Sequence, residues 1–271
     1  MGTAPKAEQV ADSLREQGVS VVMGFLHEDS IRKLVAAGHI DLLIALGGDG
    51  TMLRAGHLCG PACVPILGIN LGRFGFLTEI DHHQWSEILP RLLAGDYWLE
   101  QRMMLSAMQY RRGECLGKWD VLNEIVVSRG QMVRPVHLKA YVDGRFLTTY
   151  VADALIAATP TGSTAYALAA GGPILPPTLR NILLVAVAPH LSIDRAIVLA
   201  EGSSVSITVY TDHQAVVSPD GQQPIDLEDG DQVEACASKH SAQFLRFQDP
   251  DYFYRNLTPY MYQNPSTGTQ R

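Results

Sequence analysis

The pattern of apolar and polar positions changes once along the chain, near Gly95. Before this point, segments with helical periodicity alternate with short apolar runs, in the order helix 6–17, run 19–25, helix 29–38, run 41–46, helix 50–58 and run 64–69. Fully apolar strands that alternate with helices are typical of a parallel sheet that is covered on both faces. The pattern therefore predicts an N-terminal α/β domain of Rossmann-like type over residues 1–97.

After Gly95 the helical pattern gives way to short segments of strand type, at 97–110, 121–128, 136–142, 145–151, 154–158, 182–188, 197–199, 205–210 and 215–217. Asp143-Gly144 and Asp220-Gly221 both have the composition of tight turns between strands. The pattern predicts an all-β, sandwich-like domain over residues 98–244, interrupted by a helix after Ser163. The aromatic tail 245–271 is expected to pack back on the first domain.

Composition and charge exclude several classes of protein. Charged residues make up 18% of the chain, against about 25% in an average soluble domain, which favours an oligomer over a compact monomer. The net charge is −7 and the basic clusters are short, which argues against a nucleic-acid partner. No apolar stretch approaches the roughly 20 residues of a membrane span, and no signal-peptide pattern is present. The four cysteines are too few and too unevenly spaced for a disulfide framework, which predicts a cytoplasmic location.

Two glycine-rich segments carry the candidate chemistry. Gly47-Gly48-Asp49-Gly50-Thr51 follows the apolar run 41–46, and a second segment, 159–166, follows the run 154–158. Turns without bulky side chains allow backbone N–H groups to approach a phosphate at the start of a helix. A bound phosphate would repel the Asp49 carboxylate. We therefore expect this side chain either to hold a metal ion or to take a proton from an attacking hydroxyl.

Other motifs are less specific. No Gly-x-x-x-x-Gly-Lys-Ser/Thr loop occurs, and Gly68, Gly72 and Gly75 do not have the spacing of a dinucleotide fingerprint. Asn123-Glu124 is either a strand-end pair or an amide and a carboxylate that bind a base edge and ribose hydroxyls. Asp153 interrupts an apolar strand, where an unpaired buried carboxylate would be costly.

Taken together, four motifs resemble those of the NAD kinases, in the same order along the chain. They are Gly-Gly-Asp-Gly-Thr at 47–51, Phe-Gly-Phe-Leu-Thr-Glu at 74–79, Asn-Glu at 123–124 and Thr-Pro-Thr-Gly-Ser-Thr-Ala-Tyr at 159–166. The last motif, with the Gly-Gly-Pro that follows it, is the most specific. The resemblance covers about residues 6–257 and implies transfer of the γ-phosphoryl group of ATP, or of polyphosphate, to the 2′-hydroxyl of the adenosine ribose of NAD.

The resemblance also assigns roles to single residues. It implies that Asp49 is the catalytic carboxylate, and that the phosphates lie against Gly47, Gly48, Gly50 and Thr51. The implied contacts of NAD are an adenine wall at Phe76, adenine contacts at Asn123 and Thr164, a ribose or phosphate partner at Glu124, an aromatic contact at Tyr166, a contact at Ala165, the nicotinamide end at Asp153, and the looser matches Ala188 and His213.

The resemblance extends to cofactor and assembly. Because residues 47–51 contain no arginine or lysine, Mg²⁺ bound with ATP is expected to neutralise the phosphates. Members of the family are homodimers or homotetramers whose sites borrow residues from a neighbouring subunit, so we expect the same here. The family also begins with a strand before its first helix, and only residues 1–5 precede the helix here. We therefore expect either that this strand is absent, which would expose a sheet edge, or that the chain is an N-terminal truncation.

Two alternatives remain open at this point. A lipid or sugar kinase can share the Gly-Gly-Asp-Gly turn, and would be expected to have an apolar cleft or arginines that bind a sugar phosphate. A non-catalytic NAD(P)-binding sensor could retain the fold without the reaction. The carboxylate at Asp49 argues against the sensor, because binding alone does not require it.

Overall fold

The structure is a computed structural model that describes residues 3–72, 75–190 and 193–263, without the side chains of residues 260–263. Its helices are α1 (Thr3–Glu16), α2 (Asp29–Ala36), α3 (Asp49–Cys59), α4 (Trp85–Ala94), α5 (Tyr166–Ala169) and α6 (Tyr252–Gln263). Its strands are β1 (Leu43–Leu46), β2 (Ile66–Asn70), β3 (Ile80–Asp81), β4 (Trp98–Arg111), β5 (Glu114–Val121), β6 (Glu124–Arg129), β7 (Val136–Val142), β8 (Arg145–Ala152), β9 (Ala154–Ala158), β10 (Asn181–Val187), β11 (Ile197–Ala200), β12 (Ser204–Tyr210), β13 (Ala215–Pro219), β14 (Ile225–Leu227) and β15 (Gln232–Arg246).

The chain divides into two compact units, Met1–Gln101 with Ala242–Arg271, and Arg102–Ser241. The predicted domain boundaries, after residues 97 and 244, stay predictions, because a compact unit need not fold independently. Within the described residues, no helix has both the length and the apolar character that a membrane span requires.

The first unit has the predicted α/β architecture. Strand β2 pairs in parallel with β1, with β3 and with the end of β15. The core on one side of these strands joins apolar residues of α1, β2 and α4 with Leu245, and Val10, Leu14 and Trp85 belong to it. Parallel strands bring their carboxyl ends to one edge of a sheet, which is where ligands bind in open α/β sheets.

In its described residues, the second unit is all β apart from one short helix and one helical turn. One of its sheets has the strand order β11-β10-β9-β6-β13-β14, and every pair in it is antiparallel. On the other side of the core, β15, β12, β7 and β8 also pair antiparallel. Apolar residues from both sets form one core cluster, for example Leu138 and Ile207 with Ile125 and Leu155. The predicted sandwich is confirmed.

One predicted strand is wrong. Residues 19–25 have no regular secondary structure, and Val22 and Phe25 are 62% and 65% exposed. Apolar composition suggested a strand there, but a strand is stable only when a neighbouring strand satisfies its N–H and C=O groups. Within the described residues β1 pairs with β2 alone, so residues 19–25 do not pair with its open edge.

Strand β15 shows the opposite error. It is among the longest strands, yet we did not predict it, because buried apolar positions alternate there with partly buried polar ones such as Glu234. The strand is stabilised by neighbours on both sides rather than by its own composition. The short hairpin partners β5 and β14 were missed for the same reason.

Candidate functional site

The Gly47–Thr51 turn joins β1 to α3, as predicted. Gly48 is the extended N-cap residue of α3, and Asp49 is the first residue of the helix. A Cβ atom at Gly47 would overlap the side chain of Thr51, so packing requires glycine there. By contrast, a Cβ at Gly48 or Gly50 would meet nothing within 4 Å, and both residues are exposed. The turn therefore leaves open space on both sides of Asp49.

The backbone of the loop after β2 fixes the orientation of the Asp49 carboxylate. The N–H of Phe76 donates to Oδ2 and the N–H of Leu77 donates to Oδ1, each at 3.0 Å. Asp49 is half-buried and lies at the N-terminus of α3. Because each oxygen accepts one N–H bond, the remaining lone pairs are directed elsewhere and are available to a ligand.

Gly75 is also required by this arrangement, since a Cβ at that position would overlap the Asp49 carboxylate. Asp49 is the predicted catalytic carboxylate, and small displacements of such a group lower turnover by about 100-fold, so we expect Gly75→Ala to lower kcat by about 100-fold or more. Gly72→Ala in the same loop is the matched control, since a Cβ there meets nothing within 4 Å. Steady-state kinetics with a thermal melt of each variant test this. Equal turnover in the two variants would contradict it.

Arg246 holds the continuation of the same loop. Its fully buried guanidinium donates to the carbonyl oxygens of Leu77 and Thr78 at 3.3 Å and to Glu79 at 3.0 Å. It also pairs with Glu100 at 2.9 Å. The segment that orients Asp49 is thus attached to a buried ion network, which sequence reasoning did not find.

Phe76 is buried in this structure. Its ring lies 6.0 Å from that of Phe253, which belongs to α6. The proposed role of Phe76 as a wall of the adenine pocket stays a prediction.

In the second unit, the Asn123-Glu124 motif contacts the 159–166 motif directly. The N–H of Thr159 donates to the carbonyl oxygen of Asn123 at 2.8 Å, and the Thr159 hydroxyl donates to that of Leu122 at 2.6 Å. A Cβ at Gly162 would overlap the Asn123 carbonyl, so only glycine allows this approach. Two motifs that are far apart in sequence therefore form one surface.

Glu124 is the unusual group on this surface. Its side chain is 6% exposed, and its Oε2 atom has no hydrogen-bond partner among the residues that the structure describes. Burial, and secondarily the charge of Asp220, raises the pKa of Glu124 to about 8. At neutral pH the carboxyl is therefore largely protonated and can donate a hydrogen bond as well as accept one.

This raised pKa has a consequence for stability. The unfolded chain loses the Glu124 proton near pH 4.5, whereas the folded chain keeps it until about pH 8. Between these values the folded state binds more protons, so the group lowers stability as the pH rises, by up to about 1.4 kcal/mol per pH unit. We expect Glu124→Gln to remove this pH dependence. The free energy of unfolding of the variant should therefore rise relative to that of the wild type between pH 5.5 and about 7.5. Urea unfolding at both pH values measures this difference. The same change in unfolding free energy between the two pH values in both proteins would contradict the prediction.

The remaining residues of the motif follow on from this surface. The Thr164 hydroxyl donates to the Thr161 carbonyl at 3.2 Å, and the Ala165 N–H donates to the Gly162 carbonyl at 2.9 Å. Tyr166 begins α5 with its side chain 44% exposed, so its ring is accessible to a ligand.

Asp153 and Ala188 lie elsewhere in the same sheet. They flank the paired strand ends Ala154 and Val187, whereas Glu124 pairs with Ala158 at the other end of β9. Four residues of strand separate the two ends by about 13 Å. Ala188 has φ +47°, a left-handed conformation that non-glycine residues rarely adopt outside special sites.

Asp153 is neither unpaired nor fully buried, contrary to the prediction. The Asp153 side chain is 36% exposed and forms an ion pair with Arg129 Nε at 2.9 Å. Its presence in an apolar strand is therefore explained by this pair, and its role at the nicotinamide end stays a prediction from the resemblance. His213 lies in a loop, where its Nε2 atom is 3.3 Å from the carbonyl oxygen of Pro135.

Sequence reasoning missed two charged residues near the predicted positions. Arg54, one turn along α3, is exposed and lies 3.4 Å from the Thr51 hydroxyl, so a cation lies beside the Gly47–Thr51 turn. Its i+3 spacing from Thr51 on a helix could have revealed it. Asp220 binds the Asn123-Glu124 backbone and was read only as a turn residue.

Comparisons with known proteins agree with this arrangement. Residues 5–97 match the family model described as the ATP-NAD kinase N-terminal domain, and residues 122–247 match the ATP-NAD kinase C-terminal domain. The NAD kinase of Chloroflexus aurantiacus is 39% identical over 251 residues, covering 93% of this chain and 91% of that protein. The NAD kinase of Moorella thermoacetica is 42% identical over 212 residues, 78% of this chain and 68% of that protein.

Two solved structures are similar along most of the chain. The NAD kinase of Archaeoglobus fulgidus in complex with ATP has a TM-score of 0.76 at 26% identity, covering 95% of this chain and 94% of that one. Yeast NADH kinase complexed with NADH also has a TM-score of 0.76, at 28% identity, covering 86% of this chain and 68% of that one. Sequence, fold and the two glycine-rich motifs therefore agree, and the chain belongs to the ATP-NAD kinase family.

Proposed function

We propose that the Asp49 carboxylate orients the 2′-hydroxyl of the adenosine ribose of NAD and takes its proton, while the γ-phosphoryl group of ATP is transferred to that oxygen. The reaction that it serves is ATP-dependent phosphorylation of NAD to NADP, the activity of this family. The observation that carries the proposal is a carboxylate held by two backbone N–H groups in a turn with open space on either side.

The chemistry suits these few groups. Phosphoryl transfer needs alignment of the attacking and leaving oxygens and neutralisation of charge, and little covalent help from the protein. A ribose hydroxyl is a weak nucleophile, so a fixed acceptor for its proton accelerates the attack. The free lone pairs of Asp49 provide this acceptor, and the two N–H bonds keep the carboxylate from rotating away.

The phosphates of ATP would lie against the backbone N–H groups of residues 47–51 at the N-terminus of α3, with Arg54 as an additional cation. The described residues include no group of three or more His, Cys, Asp or Glu side chains placed for a metal ion. Mg²⁺ in kinases is held mainly by phosphate oxygens and water, with one or two carboxylates, so it does not need such a group. When bound, Mg²⁺ would neutralise part of the phosphate charge.

NAD would bind along the surface of the second unit that Asn123, Glu124 and residues 159–166 form. Asn123 and Thr164 would contact the adenine, Glu124 the ribose, and the exposed Tyr166 ring would pack on the dinucleotide beside Ala165. The protonated Glu124 carboxyl supports this role, since it can donate to a ribose oxygen and accept from a hydroxyl.

A homodimer or homotetramer is part of this proposal. Asp153 and Ala188 lie at the opposite end of β9 from Glu124. We infer that a second copy of the chain brings its own Asp153 end close to the Glu124 end of the first, so that one site uses residues of both. Light scattering on the purified 29.6 kDa chain tests this, and the mass of a single chain would contradict it. The cytoplasmic location stays a prediction that rests on the cysteine spacing.

The reaction is tested by incubating the protein with NAD, ATP and Mg²⁺ and detecting NADP with an NADP-specific dehydrogenase. Polyphosphate in place of ATP, and NADH in place of NAD, define the donor and acceptor range. Asn123→Ala should raise the KM for NAD and leave kcat nearly unchanged, because its proposed contact is to the adenine. Saturable NADP binding without turnover would instead support a sensor.

A further inference from the structure

The turn that carries Asn123 and Glu124 is held by a residue to which no role has been assigned. The two carboxylate oxygens of Asp220 accept three successive backbone N–H bonds, from Leu122 at 2.6 Å and from Asn123 and Glu124 at 2.8 Å. The N–H of Asp220 donates in return to the Glu124 carbonyl at 2.9 Å. These bonds join the turn between β13 and β14 to the junction of β5 and β6.

The geometry requires an acceptor of this kind. Three adjacent N–H groups converge on Asp220, and a carboxylate has about four lone-pair sites for them, whereas an amide side chain offers one acceptor oxygen. Asp220 has φ +46° and is followed by Gly221, so the turn itself aims the side chain at the junction. On the other side of the junction, Thr159 binds the carbonyl groups of Leu122 and Asn123.

The charge of Asp220 acts on Glu124 as well. Across the two strand ladders, Glu124 faces Ala158 on β9, and Ile125 faces Pro219 on β13. The residue after Pro219 is Asp220, which therefore lies beside Glu124. The cation Arg102 of β4 contacts Thr161 of the glycine-rich motif at 3.4 Å. Asp220 is the acidic neighbour that raises the pKa of Glu124 beyond the effect of burial.

We propose that Asp220 is a positioning residue for NAD, which holds the Leu122–Glu124 turn so that Asn123 and Glu124 present their side chains to the dinucleotide. This inference rests on the proposed roles of Asn123 and Glu124. Asp220 acts through the backbone and through its charge on Glu124, and its effect is on the binding of NAD rather than on the transfer step.

The test compares Asp220→Asn with Asp143→Asn. Asp143 is a matched control, since it also precedes a glycine in a turn, has φ +51°, and accepts a backbone N–H bond, from Ser204. We expect Asp220→Asn to raise the KM for NAD by about tenfold with kcat within about threefold, because the charged acceptor of three N–H bonds is lost. Asp143→Asn should leave both constants at the wild-type value.

A pH profile separates positioning from a general loss of structure. In the wild type, kcat/KM for NAD should fall above about pH 8 as Glu124 ionises in the free enzyme. In Asp220→Asn this fall in kcat/KM, the alkaline limb of the profile, should begin at lower pH, because the neighbouring negative charge is gone. In Glu124→Gln the alkaline limb should be absent. A merely structural role would lower kcat/KM by the same factor at every pH.

Each outcome decides a different claim. A KM and an alkaline limb that match those of Asp143→Asn would overturn the role of Asp220. If Asp220→Asn melts below the assay temperature, Asp220→Glu replaces it; this variant keeps the charge and should raise the KM without moving the limb. If Asn123→Ala and Glu124→Gln both leave the KM for NAD unchanged, the proposed binding surface itself fails, independently of Asp220.

Discussion

Replacing Asp49 with asparagine is expected to lower kcat by two to four orders of magnitude, roughly the contribution of a positioned general base. The KM for NAD should stay within a few-fold of the wild type, because the proposed NAD contacts lie on other residues. An asparagine cannot take the proton. Its NH₂ group would also face one of the two N–H donors, of Phe76 or Leu77, that now hold the carboxylate.

The control is Asp29→Asn. Asp29 is the first residue of α2, as Asp49 is of α3, and it is exposed. Both variants lose a negative charge at a helix N-terminus, so any difference between them isolates the chemistry from the helix dipole. Turnover in Asp49→Asn that equals that of Asp29→Asn, in proteins with similar melting temperatures, would refute the catalytic role.

The parts of the site that could be predicted are those encoded locally. The Gly47–Thr51 turn follows an apolar run and precedes a helical segment, and these features are all within a dozen residues. The same holds for the strand, turn and helix around residues 154–169. Glycines that leave space beside a single carboxylate can be recognised without knowing what packs against them.

The residues that could not be predicted act across long sequence separations. Asp220 binds a turn that lies nearly a hundred positions earlier, and Arg246 binds the loop at Leu77 and Thr78. In sequence, Asp220 looks like an ordinary hairpin residue, and Arg246 belongs to the aromatic tail 245–271, where no strand was predicted. Their partners are set by which strands pair, and pairing depends on the whole core rather than on local composition.

The same reasoning explains the two errors on residues 19–25 and Asp153. A strand prediction from apolar residues assumes pairing with a neighbouring strand, and residues 19–25 pair with no strand in the described part of the chain. The argument about Asp153 assumed that no cation was near, but Arg129 on β6 lies opposite. Both predictions depended on which residue or strand lies next to the segment in the fold. The pattern of a single sequence carries little information about such contacts.

Arg246→Met is expected to lower the free energy of unfolding by about 3–5 kcal/mol, the usual effect of breaking a buried ion pair. Arg246 is fully buried and pairs with both Glu79 and Glu100, which are also buried. The variant removes the guanidinium that both buried carboxylates contact. Glu100 would keep its bond from the Tyr252 hydroxyl, at 2.7 Å, but that bond cannot compensate a charge.

The matched control is Arg255→Met, because Arg255 pairs with Asp249 on the surface of the same unit, with both side chains more than half exposed. Surface pairs contribute about 0–1 kcal/mol, so this variant should unfold nearly as the wild type does. Chemical denaturation of both variants measures the difference. Adding Glu79→Gln and Glu100→Gln to Arg246→Met should restore part of the lost stability, since the two buried negative charges are then removed as well.

In the wild type, Arg246→Met and the triple variant, kcat should not change in parallel with the free energy of unfolding. Arg246 donates to the carbonyl oxygens of Leu77 and Thr78, and the N–H groups of Phe76 and Leu77 hold Asp49. The triple variant regains neutral packing but not these backbone bonds, so its kcat should stay low after its stability has partly returned. If kcat recovers together with stability, Arg246 serves the fold alone, and the orientation of Asp49 depends on the loop backbone without it.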